Sequence, residues 1–361
     1  MMKKQHAFVI LLLWGGLTAF AWFSPAKAIS DSERRPLAQM PAITLDSIGS
    51  GKFMKDFETY SLDQFPLRDS FRTVKSLFHR YVLAQKDNND IYLYNGYAAK
   101  QEYPLNSDSV NHALERFNHI YEKYLTDSDI YMAVVPDKGY YLAEDAGQLA
   151  MDYEALFDRV KTGMPWANHI DLTGSLSGTD YYRTDTHWRQ EQLLDAASVL
   201  CETMGVTAPR TEDYTVTALE RPFYGVYYGQ TALPMEPETL YLMESKLLSD
   251  CTVYDHETGK TGSVYDLTKL DSQDLYDVYL SGARAMLTIE TGANTQRELI
   301  VFRDSFGSSM VPLLVQDYAR VTLVDTRYIS SDLLDQFIDF HGQDVLFLYS
   351  TLILNSSSAI K

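Results

Sequence analysis

An aspartate and a histidine two residues apart in Tyr181 to Trp188, YYRTDTHW, and a serine far downstream in Leu299 to Gly307, LIVFRDSFG, are the residue types from which a nucleophilic triad is built. A serine hydroxyl attacks a carbonyl when a base takes its proton, a third group fixes the base's tautomer, and donors meet the developing oxyanion. In extended backbone, residues at i and i+2 point the same way, so Asp185 can hold one ring nitrogen while His187 offers the other. Ser305 stands on the turn leaving an apolar run, where a hydroxyl can sit at a sheet's edge beside backbone N–H groups. Triads occur in several chain orders, so acid and base before nucleophile is no objection. Each residue also has a plainer reading: Asp185 can cap the helix expected near Gln190, and Asp304 can brace its own turn.

The surrounding chain must supply a scaffold for these residues. Ser107 to Leu125 carries Val110, Ala113, Leu114, Phe117 and Ile120 on one helical stripe, and Ile130 to Val135 follows as a short strand-like run. Asp137 and Lys138 then fall at a strand's carboxyl end, where open α/β sheets hold ligands; a turn with solvated charges is the alternative. Leu193 to Met204 repeats at helical spacing with Cys201 on its apolar side, so Asp185 and His187 lie on a loop before a helix. Four apolar runs, Ala285 to Ile289, Leu299 to Phe302, Val321 to Val324 and Val345 to Tyr349, alternate with helical segments around Met310 to Tyr318 and Ser331 to Phe340. That rhythm predicts a mostly parallel sheet covered by helices. Arg303, Asp325, Arg327 and Tyr328 are candidates for substrate binding, with ion pairing an equal explanation for the charged ones.

A chain of 361 residues, 45% hydrophobic and 22% charged, can bury a substantial core. Its net charge of −18, from 31 basic and 49 acidic residues, argues against nucleic acid as a partner. Cys201 and Cys251 are too few for a disulfide scaffold or a cysteine zinc site, though one bridge is allowed outside the cytosol. Lys3 and Lys4 precede an uncharged run from Ala7 to Phe23, and Ala26, Lys27, Ala28 fit a small-x-small cleavage pattern. Residues 1–28 are therefore a signal peptide or a membrane anchor, and either places the rest outside the cytoplasm. Residues 29–48 read as a linker, and 49–361 as one domain. It begins with a helical and hairpin segment over 49–100, its helices broken near Pro66. It carries an aromatic, glycine- and proline-rich insertion over 213–249 that faces substrate or simply packs.

The TDTHW segment with its preceding YY, the DSFG turn, VDTRY after it and FPLRDSFR near the amino terminus together resemble the bacterial DHHW-motif family. More distantly they resemble the SGNH hydrolase-like domains of alginate O-acetyltransferases. The resemblance covers most of the chain after the apolar amino terminus. It implies an SGNH hydrolase-like α/β/α sandwich with permuted motif order, and gives Asp185, His187 and Ser305 the catalytic roles. Thr186 stands where many members have a second His. In YDVYLSGARA, Gly282 matches a possible oxyanion glycine, but Ala283 occupies the position of a possible donor Asn. Loss of such a donor costs on the order of a hundredfold in turnover, leaving the backbone N–H groups of Ser305 and Gly282.

The expected function is a serine-dependent O-acetyltransferase or acetylesterase on a cell-surface or exported polysaccharide, needing no metal or organic cofactor. The resemblance also implies a membrane-bound O-acyltransferase as acetyl donor. The alternative is a polysaccharide-binding or assembly protein that keeps the fold without the chemistry. Aromatic clusters in the 213–249 insertion would suit sugar rings in either case.

Overall fold

A computed structural model describes residues 2–361, which divide into two compact units, one of residues 2–89 with 228–235 and the other of 90–227 with 236–361. In the first, α1 (Met2–Phe23) contains the apolar stretch His6–Phe23, long and apolar enough to cross a membrane. Helices α2 (Lys52–Asp63) and α3 (Arg68–Tyr81) follow, separated at Pro66, whose ring cannot continue a helix. The stretch read as a linker is partly pinned. Ile29–Ser30 pairs antiparallel with Arg35–Pro36, and the Arg35 guanidinium grips Asp63 through both oxygens at 2.6 and 2.9 Å.

The second unit opens with a hairpin, β1 (Ile91–Tyr94) and β2 (Tyr97–Lys100), turning at Asn95 and Gly96, both of positive φ. Its longer helices are α4 (Ser107–Ile120), α5 (Tyr153–Gly163) and α6 (Leu194–Thr203). Strand β3 (Ile130–Val135) follows α4, and β4 (Asn168–Ile170) follows α5. A small ladder pairs β5 (Thr215–Ala218) with β6 (Tyr241–Glu244). The remaining strands are β7 (Thr252–Asp255), β8 (Lys260–Gly262), β9 (Met286–Glu290), β10 (Glu298–Arg303), β11 (Arg320–Val324) and β12 (Asp344–Ser350).

The central sheet runs β8-β7-β9-β11-β10-β12-β3-β4. Pairs from β11 across to β4 are parallel; β9 and the outer β7 and β8 join antiparallel. The period of two divides each central strand between two cores. Ala133, Val135, Leu299, Val301, Leu346 and Leu348 pack with α6 and with Met310 to Val315 on one face. Met132, Val134, Ile300, Phe302, Val345 and Phe347 pack with α4 and α5 on the other. This is the expected α/β/α sandwich with a mostly parallel sheet, and its parallel strands end together at one edge.

Two helices are shorter than the apolar pattern predicts. The Met310 to Tyr318 region is a turn of α-helix, Gly307–Met310, tightening into a 3₁₀ turn at Val311–Leu314 around Pro312. Ser331–Gln336 is 3₁₀ only. The antiparallel strands β7 and β8 went unforeseen, because Thr252 to Gly262 is polar and largely exposed.

Candidate active site

Ser305 lies two residues beyond β10, at the carboxyl edge of the sheet, and the residue before it builds the turn. Asp304 accepts the Phe306 N–H at 3.0 Å on one oxygen and the Ser350 N–H and hydroxyl at 2.8 and 2.6 Å on the other. It thus both braces its own turn and ties it to the end of β12. Gly307 is held tight against the Arg303 side chain, where a Cβ would come within 2.8 Å.

Asp185 and His187 stand on a tight loop closed by the bridge between Tyr181 and Trp188 and by the Tyr182 N–H donating to the His187 carbonyl at 3.0 Å. Asp185 Oδ1 takes both the His187 backbone N–H at 3.0 Å and Nδ1 at 2.6 Å. On the far side, His187 Nε2 is 2.8 Å from Ser305 Oγ. A proton on Nδ1, held by the carboxylate, leaves Nε2 as the acceptor for the serine proton. All three predicted residues are brought together across 118 residues of chain. His187 is only 8% exposed, whereas Ser305 is half-buried and reachable.

The histidine plane is fixed by contacts that no local motif announced. Tyr276 stacks on the imidazole at 3.9 Å and 8°, and Phe306 leans on it at 5.1 Å. Ser309 is the anchor beneath: its hydroxyl meets the Tyr276 hydroxyl at 2.7 Å and Trp188 Nε1 at 2.9 Å, while its carbonyl takes Gln190 Nε2 at 2.9 Å. Trp188 packs edge-on against Phe306, behind the histidine.

The 213–249 insertion braces the acid. The Val226 N–H donates to Asp185 Oδ2 at 2.7 Å, and Gly225 donates to the Thr184 hydroxyl at 3.0 Å. Glu238 takes the Arg183 and Thr184 N–H groups at 2.7 and 2.8 Å. Gly225 comes so near that a Cβ there would fall 2.3 Å from the Asp185 Cα, a space only glycine leaves open. The one signal in the sequence was a glycine within FYGVYY, which marks close approach without saying to what.

Lys138, at the carboxyl end of β3, is buried rather than solvated: its Nζ donates to the carbonyls of Ala98 and, at 2.8 Å, Tyr182, and lies 5.0 Å from the Tyr227 ring centre. Burial pushes its ammonium down to about 7, partly opposed by the carboxylates of Asp185, Glu238 and Asp137. Its neighbour Asp137, expected to face substrate, is only 3% exposed and is committed elsewhere. It accepts from the Thr351 hydroxyl at 2.6 Å, the Gly139 N–H at 2.6 Å and the Tyr153 hydroxyl at 3.0 Å, joining β3 to the end of β12. Burial, opposed by these bonds, raises its carboxyl above the usual range.

The other candidates have partners of their own. Gly282, expected as an oxyanion donor, uses its N–H on the Tyr279 carbonyl at 3.1 Å, and its φ of +76° explains why glycine is there. Arg327 is gripped by Asp325 at 2.6 and 2.9 Å, the ion-pair alternative. Tyr328 is half exposed, with the Arg327 guanidinium 5.5 Å from its ring centre. Arg303 is fully buried under the serine turn, donating to Ser308 Oγ at 3.1 Å. Cys201 and Cys251 are both free thiols, so the bridge left open by their spacing is not formed.

A family model described as DHHW protein matches residues 174–324, which contain both motifs, so the resemblance to that family holds across the whole relay. A DHHW family protein from Eubacterium siraeum superposes with a TM-score of 0.63 at 22% identity, covering 76% of this chain and 95% of the other. Bacillus cereus PatB1 with a sulfonyl adduct gives 0.57 at 17%, covering 73% and 95%. The O-acetyltransferase domain of Pseudomonas putida AlgJ gives 0.43 at 14%, covering 73% and 92%. No curated protein matches the chain.

Proposed function

We propose that this chain is a serine-dependent O-acetyltransferase or acetylesterase acting outside the cytoplasm on a cell-surface or exported polysaccharide. The observation that carries the reading is the unbroken relay of 2.6 Å from Asp185 to His187 and 2.8 Å from His187 to Ser305. In the first half-reaction Ser305 Oγ bonds to the acetyl carbon as its proton passes to His187 Nε2; the proton then leaves with the departing alcohol. In the second, a sugar hydroxyl or water gives its proton to Nε2 and takes the acetyl group, restoring the serine. Asp185 orients the neutral imidazole and stabilises the imidazolium whenever Nε2 carries the proton. Among the described residues no acceptor takes the Ser305 N–H, which makes it the first oxyanion donor; Arg327, Tyr328 and the exposed Tyr224 of the insertion are the candidates for holding sugar. A membrane-bound O-acyltransferase is the proposed acetyl source.

A non-catalytic polysaccharide-binding or assembly role is the second reading. It is favoured by the engaged Gly282 N–H and by Ala283, which has no side-chain donor. The two part in one experiment with the purified chain, Ser305→Ala beside it, p-nitrophenyl acetate as substrate and a sulfonyl fluoride as trap. The enzyme releases nitrophenol in a burst and gains one sulfonyl mass, and Ser305→Ala does neither. Equal background rates and no added mass in either protein would leave only the binding role.

A further inference from the structure

Helix α3 has its polarity reversed. Arg68 and Arg72, one turn apart, ion-pair with Glu33 at 2.5 and 3.2 Å. Arg72 also donates to the Gly229 carbonyl at 2.8 Å, and one turn on the Ser76 hydroxyl accepts from Asn88 at 2.9 Å. So the polar stripe faces the helix's own unit. Phe71, Val74, Phe78 and Tyr81, spaced three, four and three residues apart, form the opposite stripe and are exposed, Val74 by 62% and Tyr81 by 74%. A helix on a water-facing surface does the reverse.

Two observations say what covers the stripe. The first is continuity with α1, whose apolar stretch His6–Phe23 can cross a membrane. Just past its end, the Lys27 N–H and carbonyl are both held by the Gln64 side chain at 2.9 Å, and Gln64 ends α2 immediately before the turn into α3. The point where α1 would leave a bilayer is therefore tied to the start of α3, and Phe65 and Leu67 are exposed beside it. The second is charge. In a chain of net charge −18, α3 carries a single acid, Asp69, against four basic residues; Glu33 engages Arg68 and Arg72, which leaves the exposed Lys75, and Arg80 over the Tyr81 ring of the apolar stripe, as the cations available to a headgroup. Basic helices with one apolar face lie in the headgroup region, and anionic lipids draw them there.

We propose that α3 lies in the plane of the bilayer spanned by α1, with Phe71, Val74, Phe78 and Tyr81 seated at the headgroup and acyl boundary of an anionic membrane. The proposal goes beyond the catalytic reading and is independent of it. The chain is then held at the membrane by two points, a span and a surface helix.

The test uses the full chain in vesicles of phosphatidylglycerol and phosphatidylcholine. Val74→Cys and, separately, Phe78→Cys carry a bimane label, with Lys260→Cys on exposed strand β8 as control; the native thiols are buried and stay unlabelled. Lipids brominated near the headgroup should quench the labels at 74 and 78 by about twofold or more, and the control hardly at all. Quenching at 74 and 78 no greater than at 260 overturns the proposal. Unchanged quenching in pure phosphatidylcholine overturns the requirement for anionic lipid. Labels unquenched by lipid but shielded as protein concentration rises would assign the stripe to a second copy instead, and also overturn it.

Discussion

Lys138 is the residue whose cost is plainest. An ammonium buried against two carbonyls, with no carboxylate bonded to it among the described residues, is disfavoured in its charged form. Its folded value of about 7 lies below the ordinary lysine range, so between those two values the unfolded chain binds the extra proton. The destabilisation is therefore present in full below about pH 7 and is relieved as pH rises toward the ordinary value, by at most about 1.4 kcal/mol per pH unit. Thermal melts of the detergent-solubilised chain at pH 6, 7.5 and 9 should show the wild type gaining on Lys138→Met with each step. A stability difference that stays flat over that range would mean the ammonium keeps its proton. The same lysine pins the Tyr182 carbonyl, so it also holds the loop that carries Asp185 and His187. Its position after β3 could be read from the sequence; its burial could not, because the carbonyls it meets come from β2 and from the loop itself.

At the scale of elements, the acid is placed by an insertion far away in the chain. Gly225 sits so close to Asp185 that Gly225→Ala must push one backbone off the other. A displacement near 1 Å at a catalytic group costs on the order of a hundredfold in turnover. Gly225→Ala should therefore lose about that much of the proposed esterase activity, while Gly174→Ala, with open space around its Cβ position, stays near wild type. Wild-type turnover in Gly225→Ala would show that the insertion is not what places the acid. Residues adjacent in sequence were legible: the i, i+2 spacing correctly brought Asp185 onto the His187 ring, and the strand-to-turn position correctly placed Ser305 at the sheet edge. Apolar runs likewise located the parallel strands to within a residue or so. What escaped was held by contacts between distant segments. Tyr276, Ser309, Gln190 and Glu238 act through a few hydrogen bonds to distant segments or one stacked face, which leave no period and no motif. The Gly282 expectation failed for a related reason: a glycine kept for positive φ in a turn looks, in sequence, like one kept as a donor.

Over the whole molecule, the two cysteines test whether the large unit opens as one. Cys201 on α6 and Cys251 before β7 both belong to the core on one face of the central sheet, and neither is bonded to the other. Burial pushes the Cys201 thiol up to about 12 and the Cys251 thiol up to about 11, so almost no thiolate exists at pH 8, and the thiolate is the reactive form. A buried thiol of this kind behaves as a small apolar side chain and reacts only when its surroundings open. A disulfide reagent added to the native chain should therefore titrate neither cysteine over minutes. In denaturant without reductant it should titrate both, and under partly destabilising conditions the two should react at one common rate. A single thiol reacting early would divide this core into parts of unequal stability. No thiols in denaturant would mean that the chain closes a bridge after all, with α6 and the segment before β7 drawn together in a way the present packing does not have.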